Sequence, residues 1–226
     1  MRPDNAPGGQ EAGPSASTAG GEPDRRSFIE RARRAQIIDA AASVIAEEGF
    51  GQASLARIAR RAGVSKGVIS YHFAGKNELI MQVVVAVYEA GGTEMGPVIE
   101  AAGPPRARLA AYLRSNLEFL AKNPTKVRAL MEIFTSFRAE DGKLPFDATS
   151  DEPVLAPLLE TFRAGQASGE FTDFDPMVMA RTVRAAIDAL PPQMSAYPDL
   201  DVAAYAEQLV ALFDRATRSP SGSDTP

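Results

Sequence analysis

Apolar residues recur at helical spacing through most of the chain between residues 27 and 217, and strand-like alternation is scarce. Ile38, Ala41, Ala42 and Ile45 share one face of a helix predicted over about Ser27 to Glu48, which Gly49 stops. Leu55, Ile58, Ala59 and Ala62 give a second, shorter helix one face to bury, and Gly63 marks where it ends and the chain turns. Ser65 caps a third helix whose buried side is Ile69 and Phe73. Past a turn at Ala74-Gly75-Lys76-Asn77, the pattern predicts a helix from Glu78 to about Ala90, with Leu79, Ile80, Val83, Val84 and Val87 inward. Gly91-Gly92 and Gly96-Pro97 read as breaks in it.

Gly103-Pro104-Pro105 opens a helix through about Ala121, with Leu109, Leu113, Leu117 and Leu120 facing inward. Asn123-Pro124, a capping residue before a proline at the first helical position, starts a helix to about Ala139 with the stripe Val127, Leu130, Met131, Phe134 and Phe137. A polar loop precedes a helix from about Pro153 to Ala167. Asp175-Pro176 repeats the cap-plus-proline start for a helix carrying Met179, Val183, Ile187 and Leu190, which Pro191-Pro192 ends or kinks. The last helix, from about Asp201 to Thr217, has a wide apolar stripe of Tyr205, Leu209, Leu212 and Phe213 adjoined by Val202, Ala206 and Val210. A stripe that wide, on a chain that already owns a core, predicts burial against a second copy. The fold class expected is all-α, with an N-terminal three-helix helix-turn-helix unit and a larger helical body.

Composition divides the chain further. Residues 1–24 are dominated by Gly, Pro, Ala, Ser and acids, lack apolar periodicity and are expected to be disordered. Residues 25–75 form the expected helix-turn-helix domain, 76–218 a larger helical dimerisation domain, and 219–226 a flexible tail. The formal charge of −5 is uneven. From Arg25 to Ile80, ten basic residues (Arg25, Arg26, Arg31, Arg33, Arg34, Arg57, Arg60, Arg61, Lys66, Lys76) stand against five acids (Glu30, Asp39, Glu47, Glu48, Glu78). A basic segment joined to an acidic body suits local attraction to phosphates. The arginines between 25 and 34 are either a solvated helix face or an arm for the DNA backbone or minor groove.

The chemistry concentrates on Ser54 to Phe73. Once Ile69 and Phe73 are buried, the third helix presents Lys66, Gly67, Ser70 and Tyr71, a face suited to phosphates and base edges. In a helix-turn-helix the second helix enters the major groove. Lys66 and Ser70 are then the base-reading hydrogen-bonding groups, Gly67 permits close approach or relieves crowding, and Val68 meets a thymine methyl or is partly buried. The spaced pattern Ser54, Ile58, Ala59, Ala62, Gly63, Val64, Ser65, Gly67, Tyr71, Phe73, Lys76, Leu79 resembles the DNA-binding domain of the tetracycline-repressor (TetR) family of bacterial regulators. The resemblance covers about Ala35 to Leu79. It implies phosphate contacts by Ser54, Tyr71, His72 and Lys76, a homodimer on a near-palindromic double-stranded DNA operator, and a body that binds a small-molecule effector and thereby weakens operator affinity. Repressor rather than activator is the family's habit.

Phe119, Met131, Phe134, Phe137, Phe162, Met177 and Met179 are candidate walls of an effector pocket, since large apolar side chains at helical spacing line either a pocket or a plain core. Val183, Ile187, Leu190, Tyr205, Leu209, Leu212 and Phe213 are the candidate dimer contacts. With no Cys and a lone His, His72, in the reading helix, the common Cys-His, Ser-His-Asp and His-metal sites are absent, so neither an enzyme nor a metal or other cofactor is expected. A helical adaptor without DNA binding is the rival class. No signal peptide or membrane span is read from the residues, and the expected location is the bacterial cytoplasm, on the nucleoid when DNA-bound.

Overall fold

The computed structural model describes residues 22–137 and 152–219. The chain divides into two compact units, Met1–Ala35 and Gln36–Pro226. The first helix, α1 (Glu22–Glu48), begins in one unit and ends in the other. It starts five residues before the expected Ser27, inside the stretch expected to be disordered. Gly49, with φ 86°, stops it in the left-handed region that glycine tolerates best. A short 3-10 turn, Phe50–Gln52, leads to α2 (Leu55–Ala62), α3 (Lys66–His72) and α4 (Lys76–Ala101). Then follow α5 (Pro105–Lys122), α6 (Pro124–Ser136), α7 (Glu152–Ser168), α8 (Pro176–Asp188), α9 (Leu190–Ala196) and α10 (Val202–Thr217). Among the described residues the β-structure is an isolated bridge between Phe171 and Arg218. With it, Thr172 N–H donates to the Thr217 carbonyl (2.8 Å) and Ser219 N–H to that of Glu170 (3.1 Å), which fastens the end of α10 to the α7–α8 turn. No helix of the described residues is long and apolar enough to cross a membrane.

Within Gln36–Pro226 the apolar residues gather into two cores. The first joins Ile37, Ala41 and Ile45 of α1 with Ile58 and Ala62 of α2, Ile69 of α3, Phe73, and Leu79, Ile80, Val83 and Val84 of α4. It also takes Ala129 and Ile133 of α6 and, just beyond it, Phe137. Apolar packing around the helix-turn-helix therefore does not stop at residue 75. The second core joins Leu109, Leu113 and Leu117 of α5 with Leu155, Leu158 and Phe162 of α7, Val183 and Ile187 of α8, Leu190 of α9 and Phe213 of α10.

Several helices differ from the apolar pattern's forecast. The two Gly-rich breaks do not interrupt α4, which is continuous through both and holds Pro97 four residues from its end. Gly91 is buried, and a Cβ there would lie 3.1 Å from Met95 Cε and 3.6 Å from the Phe119 ring, so it permits close approach of α4 to α5 instead of a bend. Asn123 does not cap α6 with its side chain; Nδ2 turns back to donate to the Phe119 carbonyl at 3.0 Å. On α6 the buried positions are Val127, Ala129 and Ile133, and Met131 points outward, 37% exposed. The forecast end of α6 near Ala139 lies outside the described residues. Pro191 and Pro192 end one helix and also open the next: α9 begins with them, where a missing N–H leaves no bond unmade. The Asp175 cap forms as read, accepting from Met177 N–H (2.7 Å) and Val178 N–H (3.1 Å).

Candidate nucleic-acid interface

Two serines and one glycine set the geometry of the motif. Ser54 caps α2 by accepting from Arg57 N–H at 3.3 Å, and Ser65 caps α3 by accepting from Val68 N–H at 3.3 Å. Between them Gly63 takes φ 64°, ψ 32°, the left-handed conformation in which a Cβ is costly. Its N–H and that of Val64 turn back onto the Ala59 and Arg60 carbonyls, closing α2. Ile69 (0% exposed) and Phe73 (3%) anchor α3 in the first core, which leaves Lys66, Gly67, Ser70 and Tyr71 outward.

Each expected DNA-contacting residue has a definite place. Lys66, Gly67 and Ser70 are exposed on one helix, whereas Val68 is half-buried and packs against the first core. A Cβ on Gly67 would meet only Ser65 Oγ, at 3.6 Å, an ordinary contact, so crowding inside the protein does not require this glycine. Ser70 Oγ donates to the Lys66 carbonyl at 3.2 Å and in this state offers the groove an acceptor. Among the described residues Tyr71 is the most exposed of the large apolar side chains (74%), and its ring meets that of His72 edge-on at 5.0 Å. Ser54 precedes α2 at one end of the motif, and Tyr71 and His72 are the last residues of α3 at the other.

Lys76, expected at a phosphate, also has a contact within the chain. Its ammonium donates to the Phe50 carbonyl at 3.4 Å and lies 4.7 Å over the Phe50 ring. Burial holds its pKa below the ordinary lysine value. From the other side, Phe50 N–H donates to Glu132 Oε2 of α6 (3.4 Å), and its ring packs 5.8 Å from that of Phe137. The turn ahead of α2 is thus gripped by the start of α4 and by α6, which periodicity does not register. Arg57 and Arg61 are likewise committed, Arg57 pairing with Glu48 and Arg61 with Glu47 at the end of α1. Glu47-Glu48 and the Arg57/Arg61 spacing of one helical turn were the available signal for that pairing.

The candidate pocket residues do not converge. Phe134 and Phe137 belong with the first core, Phe162, Met177 and Met179 with the second, Phe119 is buried against Gly91, and Met131 is exposed. They separate because α6 serves one core while α7 and α8 serve the other. Of the expected dimer contacts, Val183, Ile187, Leu190 and Phe213 are buried in this chain's own second core and have little surface left for a second copy. Tyr205 and Leu209 are half-buried, and Leu212 is 50% exposed. Between α8 and α10 lies an open, mainly apolar trough of about 480 Å³, walled by Phe174, Asp175, Val178, Met179, Thr182, Ala186, Leu212, Phe213 and Ala216. On the surface of α8, half-buried Arg184 donates twice to exposed Asp188 (2.6 and 3.0 Å) and once to Asn116 Oδ1 (3.4 Å). Desolvation opposes its charge, and Asp188 outweighs that and raises its pKa.

A capped pair of short helices, turned by a left-handed glycine and exposing a cation, a glycine, a hydroxyl and a phenol, is a helix-turn-helix of the DNA-reading kind. Residues 37–83 match the model for the tetR family of bacterial regulatory proteins, and the chain belongs to that family. It is 30% identical over 135 residues to the HTH-type transcriptional regulator BetI of Cronobacter sakazakii, covering 58% of this chain and 66% of that one. With BetI of Pseudomonas paraeruginosa it is 28% identical over 162 residues, 70% of this chain and 79% of the other. For BetI of Yersinia pestis the match spans about half the relative, 54%. These relatives are transcriptional regulators, not enzymes. Among solved structures, Bacillus subtilis FadR in complex with stearoyl-CoA superposes with a TM-score of 0.67 at 23% identity, covering 79% of this chain and 96% of that one. A tetR-family regulatory protein from Rhodococcus RHA1 gives 0.67 at 20% identity, covering 84% and 98%. Both likenesses are of fold.

Proposed function

We propose that this chain is a cytoplasmic, dimeric transcriptional repressor that binds a near-palindromic DNA operator through α3 and is released by a small apolar or amphipathic effector. The observation that carries the reading is the outward face of α3, whose hydrogen-bonding groups stand on a helix anchored by Ile69 and Phe73. Lys66, Gly67 and Ser70 meet base edges, with Val68 at the margin; Ser54, Tyr71 and His72 meet phosphates. Residues 25–75 supply DNA contact, and 76–218 supply effector binding and the contact between copies. A second copy covers the trough between α8 and α10, where Val178 (62% exposed) and Leu212 lie open. The effector acts by preferring the conformation whose reading heads are wrongly spaced, because equal affinity for both states would shift nothing. That FadR, similar in fold, is seen with stearoyl-CoA supports an effector with a long apolar part.

Lys66→Ala tests the reading. On a duplex selected by the wild-type chain, it is expected to relax sequence preference by about 1–3 kcal/mol, measured by anisotropy titration. Unchanged affinity and preference would remove Lys66 from the base readers. DNA affinity that does not fall with salt would favour the rival reading, a helical adaptor, since phosphate engagement releases counterions.

A further inference from the structure

A helix ends with carbonyls that have no donor within the helix, and their partners fix how the chain leaves it. At the end of α2, the Ala59 and Arg60 carbonyls are taken by the amides of the turn itself, Gly63 and Val64. The Ala62 carbonyl, the last before the turn, is taken from a distance: Gln36 Nε2 of α1, 26 residues upstream, donates to it at 2.7 Å. Two further polar ties between α1 and α2, Arg57–Glu48 and Arg61–Glu47, join flexible, partly exposed side chains that tolerate several geometries. The Gln36 bond differs because it holds backbone, one residue before the left-handed Gly63 and three before Ser65, which starts α3. Gln36 therefore constrains the direction in which the reading helix departs from α1.

Base edges and phosphates respond differently to that direction. A hydrogen bond to a base edge needs donor and acceptor within a few tenths of an ångström and near alignment, whereas attraction to phosphates falls off slowly. We infer that Gln36 is a positioning residue for base reading, which sets the sequence preference of α3 through the Ala62 carbonyl without touching DNA. The inference rests on the reading of α3 as the DNA helix.

The test uses the full chain. Wild-type protein selects duplexes from a randomised double-stranded pool, and anisotropy titrations then compare the selected duplex with a scrambled one of the same length and composition for wild type, Gln36→Met and Gln36→Lys. Loss of one net hydrogen bond corresponds to about a 3–10-fold fall in the selected-to-scrambled affinity ratio per head for Gln36→Met. Its salt slope on the scrambled duplex is expected to match wild type, because the groups that meet phosphates are unaltered. Gln36→Lys keeps a donor within reach of the Ala62 carbonyl and is expected to restore the ratio. A ratio within twofold of wild type for Gln36→Met overturns the proposal. So does an equal fall on both duplexes accompanied by a lowered melting temperature, which marks a role in stability alone. If the wild-type chain selects no sequence at all, the DNA-reading function fails, and the Gln36 inference with it.

Discussion

Replacing Lys76 by methionine keeps an unbranched stem and removes the ammonium, which separates two roles that the sequence alone merges. That ammonium lies 4.7 Å over the Phe50 ring and 3.4 Å from the Phe50 carbonyl, linking the start of α4 to the turn ahead of α2. A cation over an aromatic face at a partly exposed site contributes about 0.5–1 kcal/mol. A long hydrogen bond to a carbonyl adds about 0.5–1.5 kcal/mol. Desolvation, visible in the lowered pKa, offsets part of both. The expected net loss for Lys76→Met is therefore about 1 kcal/mol, or about 2–4 °C in melting temperature for a chain of this size, read by circular dichroism at 222 nm. The DNA side is read as the slope of log affinity against log salt. Removing one cation that neutralises a phosphate flattens that slope by about 0.9, and Lys76→Met is expected to leave it unchanged. An unchanged melting temperature with a slope flattened by about one unit per head would refute the tie to Phe50 and return Lys76 to the phosphates.

Two further substitutions probe the body. Gly165→Ala places a Cβ 2.1 Å from the Phe171 ring, itself packed 5.9 Å from Phe162 and 6.2 Å from Phe174. A gain of about 1 kcal/mol in helix propensity is set against about 1–3 kcal/mol or more of overpacking, so urea unfolding is expected to show net destabilisation that Phe171→Leu relieves. A variant as stable as wild type would mean that the ring has somewhere to go. Leu212→Glu puts a charge into the trough between α8 and α10 and is expected to shift sedimentation at micromolar concentration from dimer to monomer. A variant that stays dimeric, or a wild type that is itself monomeric, would exclude that face as the contact.

The helix-turn-helix was legible because local rules and tertiary structure agree there. Ser54 and Ser65 cap what they precede, Gly63 turns left-handed, and Ile69 and Phe73 are buried. Reading failed where a residue has two physical uses. Gly91 and Gly92 signal a break in a lone helix, but beside Phe119 the first of them is a place for close contact, and α4 runs on. Pro191-Pro192 forbid continuation of α8 yet suit the first turn of α9. Val183, Ile187, Leu190 and Phe213 were expected as dimer contacts, but an apolar stripe does not say what buries it, and here their own chain does. The partners of Phe50, Glu132 and Lys76, come from distant positions by polar contacts that have no periodicity to read.

The continuity of α4 has a mechanical consequence. Its 26 residues span about 39 Å at about 1.5 Å per residue, with Leu79 to Val84 fixed in the first core near one end and Ile99 resting on the second near the other. A rod that stiff converts rotation into travel. A tilt of about 5° about one end displaces the other by about 3 Å, roughly the length of a hydrogen bond. Were two copies paired about a two-fold axis, the displacement would apply twice with opposite sense, and reading heads set for half-sites about 34–36 Å apart would fall out of step by about 6 Å. An interrupted helix would have absorbed the same angle in its hinge.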